Sequence, residues 1–128
     1  MKRIVHFEIH ATDPIRAIKF YTEIFDWEIT KWEWGKMDYW LIVTGPKDQM
    51  GINGGLLKRN AEVESGSPSG FVCTMDVPSV DEYSKMVEEK WGRIVVPKME
   101  IPEMGWLVYC QDTEWNIFGM MESTMEAM

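Results

Sequence analysis

One pattern runs through this chain twice, and that repetition restricts the fold more than any other feature of the sequence. Residues 4 to 10, IVHFEIH, alternate as a β-strand does, with Val5, Phe7 and Ile9 on one face and Ile4, His6, Glu8 and His10 on the other. In TDPIRAIKFYTEIF, Asp13 and Pro14 stand as N-cap and first helical residue, ahead of Ala17, Phe20, Tyr21 and Ile24 at helical spacing. WEITKWEWGKMDYWLIVTG then reads as a hairpin around Gly35, and INGGLLKR as a further short strand. After a polar stretch rich in Ser, Gly and Pro, the order returns. FVCTMDV is a strand, and Ser79 with Glu82 has capping-box spacing before Val80, Tyr83, Met86 and Val87. GRIVVPK, GWLVYCQ and NIFGMME supply three more strands, at an offset of about 64 to 66 residues from the first copy. A half of this size buries too little surface to stand alone, so the reading is one domain over 1–128. Its first module covers about 1–58, a linker about 59–69 and the second module about 70–123.

Several function classes fall away on composition. No apolar run approaches the ~20 residues of a membrane span, and the N-terminus passes directly into an alternating strand without the apolar core of a signal peptide. The expected location is the cytoplasm, with no membrane partner. A net charge of −8 and the lack of any Lys/Arg cluster argue against nucleic acid. Cys73 and Cys110 lie in strand-like runs without CxxC spacing, so they read as reduced core thiols.

Candidate chemistry gathers on the polar face of the first strand. Desolvation makes an inward carboxylate a stronger base, so Glu8 is a candidate proton acceptor, with His6 and His10 as partners or alternatives. His6 and Glu8 are within chelating reach of one ion, whereas His10 is about 13 Å from His6 along a strand and cannot join it. Gly119, bare inside an apolar strand, marks a place where something comes close. Seven tryptophans are many for 128 residues, and Trp32, Trp34, Trp40 and Trp106 fall on strands that border the expected cavity. Tyr39 and Trp40 must point opposite ways.

The stretches HFEIHATDPIRAIKFYTEIFDWEI, GINGGL, VPSVDEYSKMVEEKWGRIVVPK and GWLVYCQDTEWNIFGMME resemble the vicinal oxygen chelate superfamily, which includes glyoxalase I, extradiol dioxygenases and bleomycin-resistance proteins, and within it a glyoxalase-like branch. The resemblance implies an α+β fold of two tandem βαβββ modules forming an open, mixed β barrel around a cavity, and a homodimer. It also implies metal ligands on the first and last strand of each module. Carried over residue by residue, these fall on His6, Gly55, Val72 and Gly119, of which His6 alone can ligate a metal. The expectation is therefore no cofactor, with a divalent metal as the alternative. The turn DTEWN departs from the superfamily by placing Trp115 where a glycine is usual, so Trp115 is strained or the turn differs, and the register of Gly119 against Phe118 stays open.

Taken together these features give a small-molecule-binding, glyoxalase-like protein whose partner is a small organic ligand. Its expected pocket residues are Trp32, Trp40, Gly55, Val72, Thr74, Trp106 and Gly119, and its candidate catalytic residues Glu8, His6 and His10. The activities left open are a metal-free lyase or isomerase, a metal-dependent glyoxalase or dioxygenase, and drug sequestration of the bleomycin-resistance kind.

Overall fold

The computed structural model describes residues 2–33, 38–59 and 70–123. The first module runs β1 (Ile4–Ala11), α1 (Pro14–Phe25), β2 (Glu28–Lys31), β3 (Tyr39–Val43) and β4 (Gly54–Lys58). Its strands lie in the order β2-β3-β4-β1, with β1 parallel to β4 and the other neighbours antiparallel. The second runs β5 (Phe71–Asp76), α2 (Val80–Glu89), β6 (Arg93–Ile101), β7 (Gly105–Gln111) and β8 (Ile117–Ser123). There the order is β5-β8-β7-β6, again with one parallel pair, β5 and β8. The α+β class and the tandem βαβββ order are those expected. The hairpin tip at Gly35 with Trp34, and most of the linker, lie outside the described residues.

Each module buries its own cluster beneath its own helix. Phe7, Ile9, Ala11, Ile42 and Leu56 form the first, joined by Ala17, Ile18 and Tyr21 from α1. Val77, Val80, Val108, Cys110 and Met120 form the second, joined by Tyr83 and Val87 from α2. Alternation along a strand then sends His6, Glu8 and His10 to the face of β1 away from α1.

Local chemistry sets the element ends. Asp13 Oδ1 accepts from Arg16 N at 3.1 Å and Ser79 Oγ from Glu82 N at 3.1 Å, so each helix has the cap its sequence announces. Glu122 Oε1 on β8 takes a further orphan amide, Val80 N, at 3.0 Å. Pro97 is accommodated because β6 is an edge strand whose register against β7 shifts between Ile94 and Met99. Trp115 has φ 70, the left-handed conformation that a glycine would take without strain.

The boundary between the compact units falls inside β1. One unit is His6–Phe71, and the other takes Val72 onward together with the residues up to Val5. Lys2 N donates to Asp76 O at 2.7 Å and Asp76 N to Arg3 O at 3.0 Å, which ties the start of the chain to the second module.

Candidate functional site

Glu8 is a buried carboxylate, 5 % exposed, and it is held by a residue that sequence reasoning did not select. Tyr39 Oη donates to Glu8 Oε2 at 2.9 Å and lies 3.0 Å from His6 Nε2. A phenol has one proton, and here it goes to Glu8, which assigns His6 the Nε2–H donor role toward the phenol oxygen. His6 Nε2 and Glu8 Oε2 are themselves 3.8 Å apart. His6 and Glu8, expected on one strand face, are bridged by Tyr39.

Tyr39 reaches Glu8 because the register permits it. Glu8 pairs with Gly55 on β4, and Tyr39 pairs with Leu57 two residues further on, so the phenol leans back over Gly55. A Cβ built on Gly55 would overlap Tyr39 Oη. Trp32 supports the tyrosine from the side: its amide donates to Tyr39 O at 2.9 Å, and the two rings meet edge to face at 5.7 Å.

His10 stands further along the same strand face, with its Nε2 buried and without a hydrogen-bond partner. Burial pushes its pKa down, the nearby Glu8 carboxylate raises it in part, and Arg59 lowers it further. Arg59 Nη2 donates to His10 O at 2.9 Å and Arg59 Nη1 to Thr12 Oγ1 at 2.6 Å. Beyond them is an open cleft of about 460 Å³, lined by Ala11, Thr12, Asp13, Arg16, Phe20, Arg59 and their neighbours. It contains none of the expected pocket residues.

In the second module Val72 and Thr74 are buried, 4 % and 5 % exposed, on the face of β5 away from α2. Thr74 pairs with Gly119, and a Cβ on Gly119 would stand 2.7 Å from Thr74 Oγ1. The group that comes close to this glycine is thus a hydroxyl. The register question resolves as well, since Phe118 packs on the helix side and Gly119 faces away.

Two expected pocket residues are placed otherwise. Trp40 and Trp106 lie on the helix side of their sheets, packed against the two buried clusters, with Lys31 Nζ and Lys98 Nζ at 4.9 Å and 4.5 Å from the ring centroids. Neighbouring residues on a strand point oppositely, and with Trp40 turned inward it is Tyr39 that faces Glu8. Cys73 and Cys110 are free thiols, and burial, with Glu88 adding, pushes Cys110 up to about 11, which leaves it protonated and unreactive.

The residues do not fit the superfamily's metal. Gly55, Val72 and Gly119 offer no donor side chain, the space over Gly55 is taken by Tyr39, and among the described residues no three His, Cys, Asp or Glu side chains group as ligands.

No known family's sequence profile matches this chain, and no curated protein matches it. Solved structures do. A variant of Streptomyces coelicolor methylmalonyl-CoA epimerase in complex with 2-nitronate-propionyl-CoA aligns with a TM-score of 0.71 at 14% identity, covering 100% of this chain and 99% of that one. The shared fold is that of the methylmalonyl-CoA epimerases. The Mycobacterium tuberculosis epimerase aligns at 0.66 and 12% identity over 96% and 89% of the two chains. A hypothetical protein from Bacillus halodurans C-125 aligns at 0.68 and 13% identity over 99% and 98%. Methylmalonyl-CoA epimerase is a member of the vicinal oxygen chelate superfamily, and the tandem βαβββ order implied by the resemblance is the one found.

Proposed function

We propose that this protein binds a small organic carbon acid and moves a proton on it without a metal, as an isomerase or lyase. The observation that carries the reading is the buried Glu8 carboxylate, 5 % exposed and hydrogen-bonded by Tyr39 at 2.9 Å. A buried acidic side chain is costly unless it is paired and hydrogen-bonded, and a positioned carboxylate is a competent general base. In the proposed step Glu8 takes the proton from a carbon next to a carbonyl, and the bond's electron pair moves into the carbonyl as an enolate. The proton then returns to carbon, or a leaving group departs from the neighbouring carbon. Tyr39 orients the carboxylate, and His6 orients Tyr39. Several of the solved structures that share the fold are named as epimerases, one of them in complex with methylmalonyl-CoA, and epimerisation is proton removal and return at carbon. An acyl thioester is accordingly the first substrate class to try. The same reading has the protein working in the cytoplasm as a homodimer with no resident cofactor.

Deuterium exchange tests it. Small carbonyl acids and acyl thioesters, methylmalonyl-CoA among them, are incubated with the protein in D2O and analysed by mass spectrometry. The expected result is deuterium at carbon with the native chain and at least a roughly hundredfold slower exchange with Glu8→Gln. Stoichiometric quenching of tryptophan fluorescence by a ligand that never exchanges would replace this reading with ligand sequestration.

A further inference from the structure

Helix α1 carries more apolar surface than its own sheet covers. Phe20 and Ile24 are 57 % and 58 % exposed although both belong to its apolar pattern. The second module provides an internal control. Aligned on the N-caps Asp13 and Ser79, Phe20 corresponds to Met86 and Ile24 to Lys90, so the fold itself does not require an apolar residue at the second position. Exposed aromatic and branched residues one turn apart mark an interaction surface.

The charges beside this row identify its occupant. Arg16 and Lys19 lie toward the N-terminal end of α1, and Glu23 and Asp26 toward its C-terminal end. Arg16 and Glu23 form no ion pair among the described residues. Arg16 is about 6 Å before Phe20 along the helix axis and Glu23 about 4.5 Å after it. Two copies of α1 laid antiparallel across a twofold axis at Phe20 therefore stack Phe20 on its counterpart and bring Arg16 of each against Glu23 of the other. On a chain of net charge −8 most surfaces repel a second copy, whereas this one is self-complementary.

We infer that the outer face of α1, centred on Phe20 and Ile24, is the surface through which two copies of this chain pair. The inference rests on the homodimer reading above and names its interface. Sedimentation velocity at about 20 µM tests it, with a species of twice 15.0 kDa expected for the native chain. Phe20→Glu is expected to give monomer. Arg16→Glu and Glu23→Arg should each weaken the dimer at least tenfold, and their combination should restore it, an outcome that loss of folding could not produce. If circular dichroism shows Phe20→Glu unfolded, Phe20→Ser and the charge reversals decide. A native chain that stays monomeric at ~100 µM would overturn both the homodimer and this surface. A dimer indifferent to Phe20 and to charge reversal would overturn the surface alone.

Discussion

Gly55 and Gly119 hold corresponding places in the two modules, opposite Glu8 and Thr74 on parallel ladders. Both are bare for a similar reason, since Tyr39 Oη and Thr74 Oγ1 take the space a side chain would need. Gly55→Ala should push the phenol off Glu8 and destabilise the fold by about 1–3 kcal/mol in urea unfolding. Tyr39→Phe should cost about 1–3 kcal/mol by removing the hydroxyl shared by His6 and Glu8, and a double-mutant cycle with Glu8→Gln should read a coupling of about 0.5–3 kcal/mol. His10 makes a pH prediction. Because its folded pKa is lowered below 6.5, the unfolded chain binds its proton first on acidification. The stability tied to neutral His10 is present above pH 6.5 and is lost as pH falls from there through the folded value. Urea midpoints at pH 7.5 and 5.5 should therefore fall further for the native chain than for His10→Gln.

At the scale of elements, the β7–β8 turn shows a sequence departure and its consequence. Asp112 Oδ1 accepts from the amides of Glu114 and Asn116 at 2.8 and 2.9 Å, and Asn116 Nδ2 donates to Asp112 Oδ2 at 3.0 Å. These bonds, the Asn116 side chain foremost, hold the Asp112 carboxyl below its ordinary range. In the same turn Trp115 lies in the left-handed region and is 74 % exposed. Strain is present with little packing to offset it, so Trp115→Gly should raise stability by about 0.5–1 kcal/mol in thermal or urea melts. Strain at Trp115 was one of the two outcomes left open by the resemblance, which expects a glycine there. The Glu122 contact to the start of α2 was not, because it joins residues 42 apart.

For the whole molecule, the duplication read from sequence is real, yet the compact units do not divide where the repeat does. Lys2 and Arg3 bond to Asp76, and the residues up to Val5 count with the second module. A chain beginning at His6 should therefore show faster amide hydrogen exchange in β5 than in β4, a comparison that mass spectrometry of proteolytic fragments resolves. The sequence alone determined what short-range periodicity can encode: two strand–helix–three-strand copies, a capped helix in each, and the shared face of His6, Glu8 and His10. It also showed that Tyr39 and Trp40 point apart. Only the tertiary structure decided which of the two meets Glu8, because alternation has no sign until a register pairs distant strands. That register puts Trp40 beside Leu56 on the helix side, and Tyr39, 31 residues along the chain from Glu8, over a glycine small enough to let its hydroxyl through.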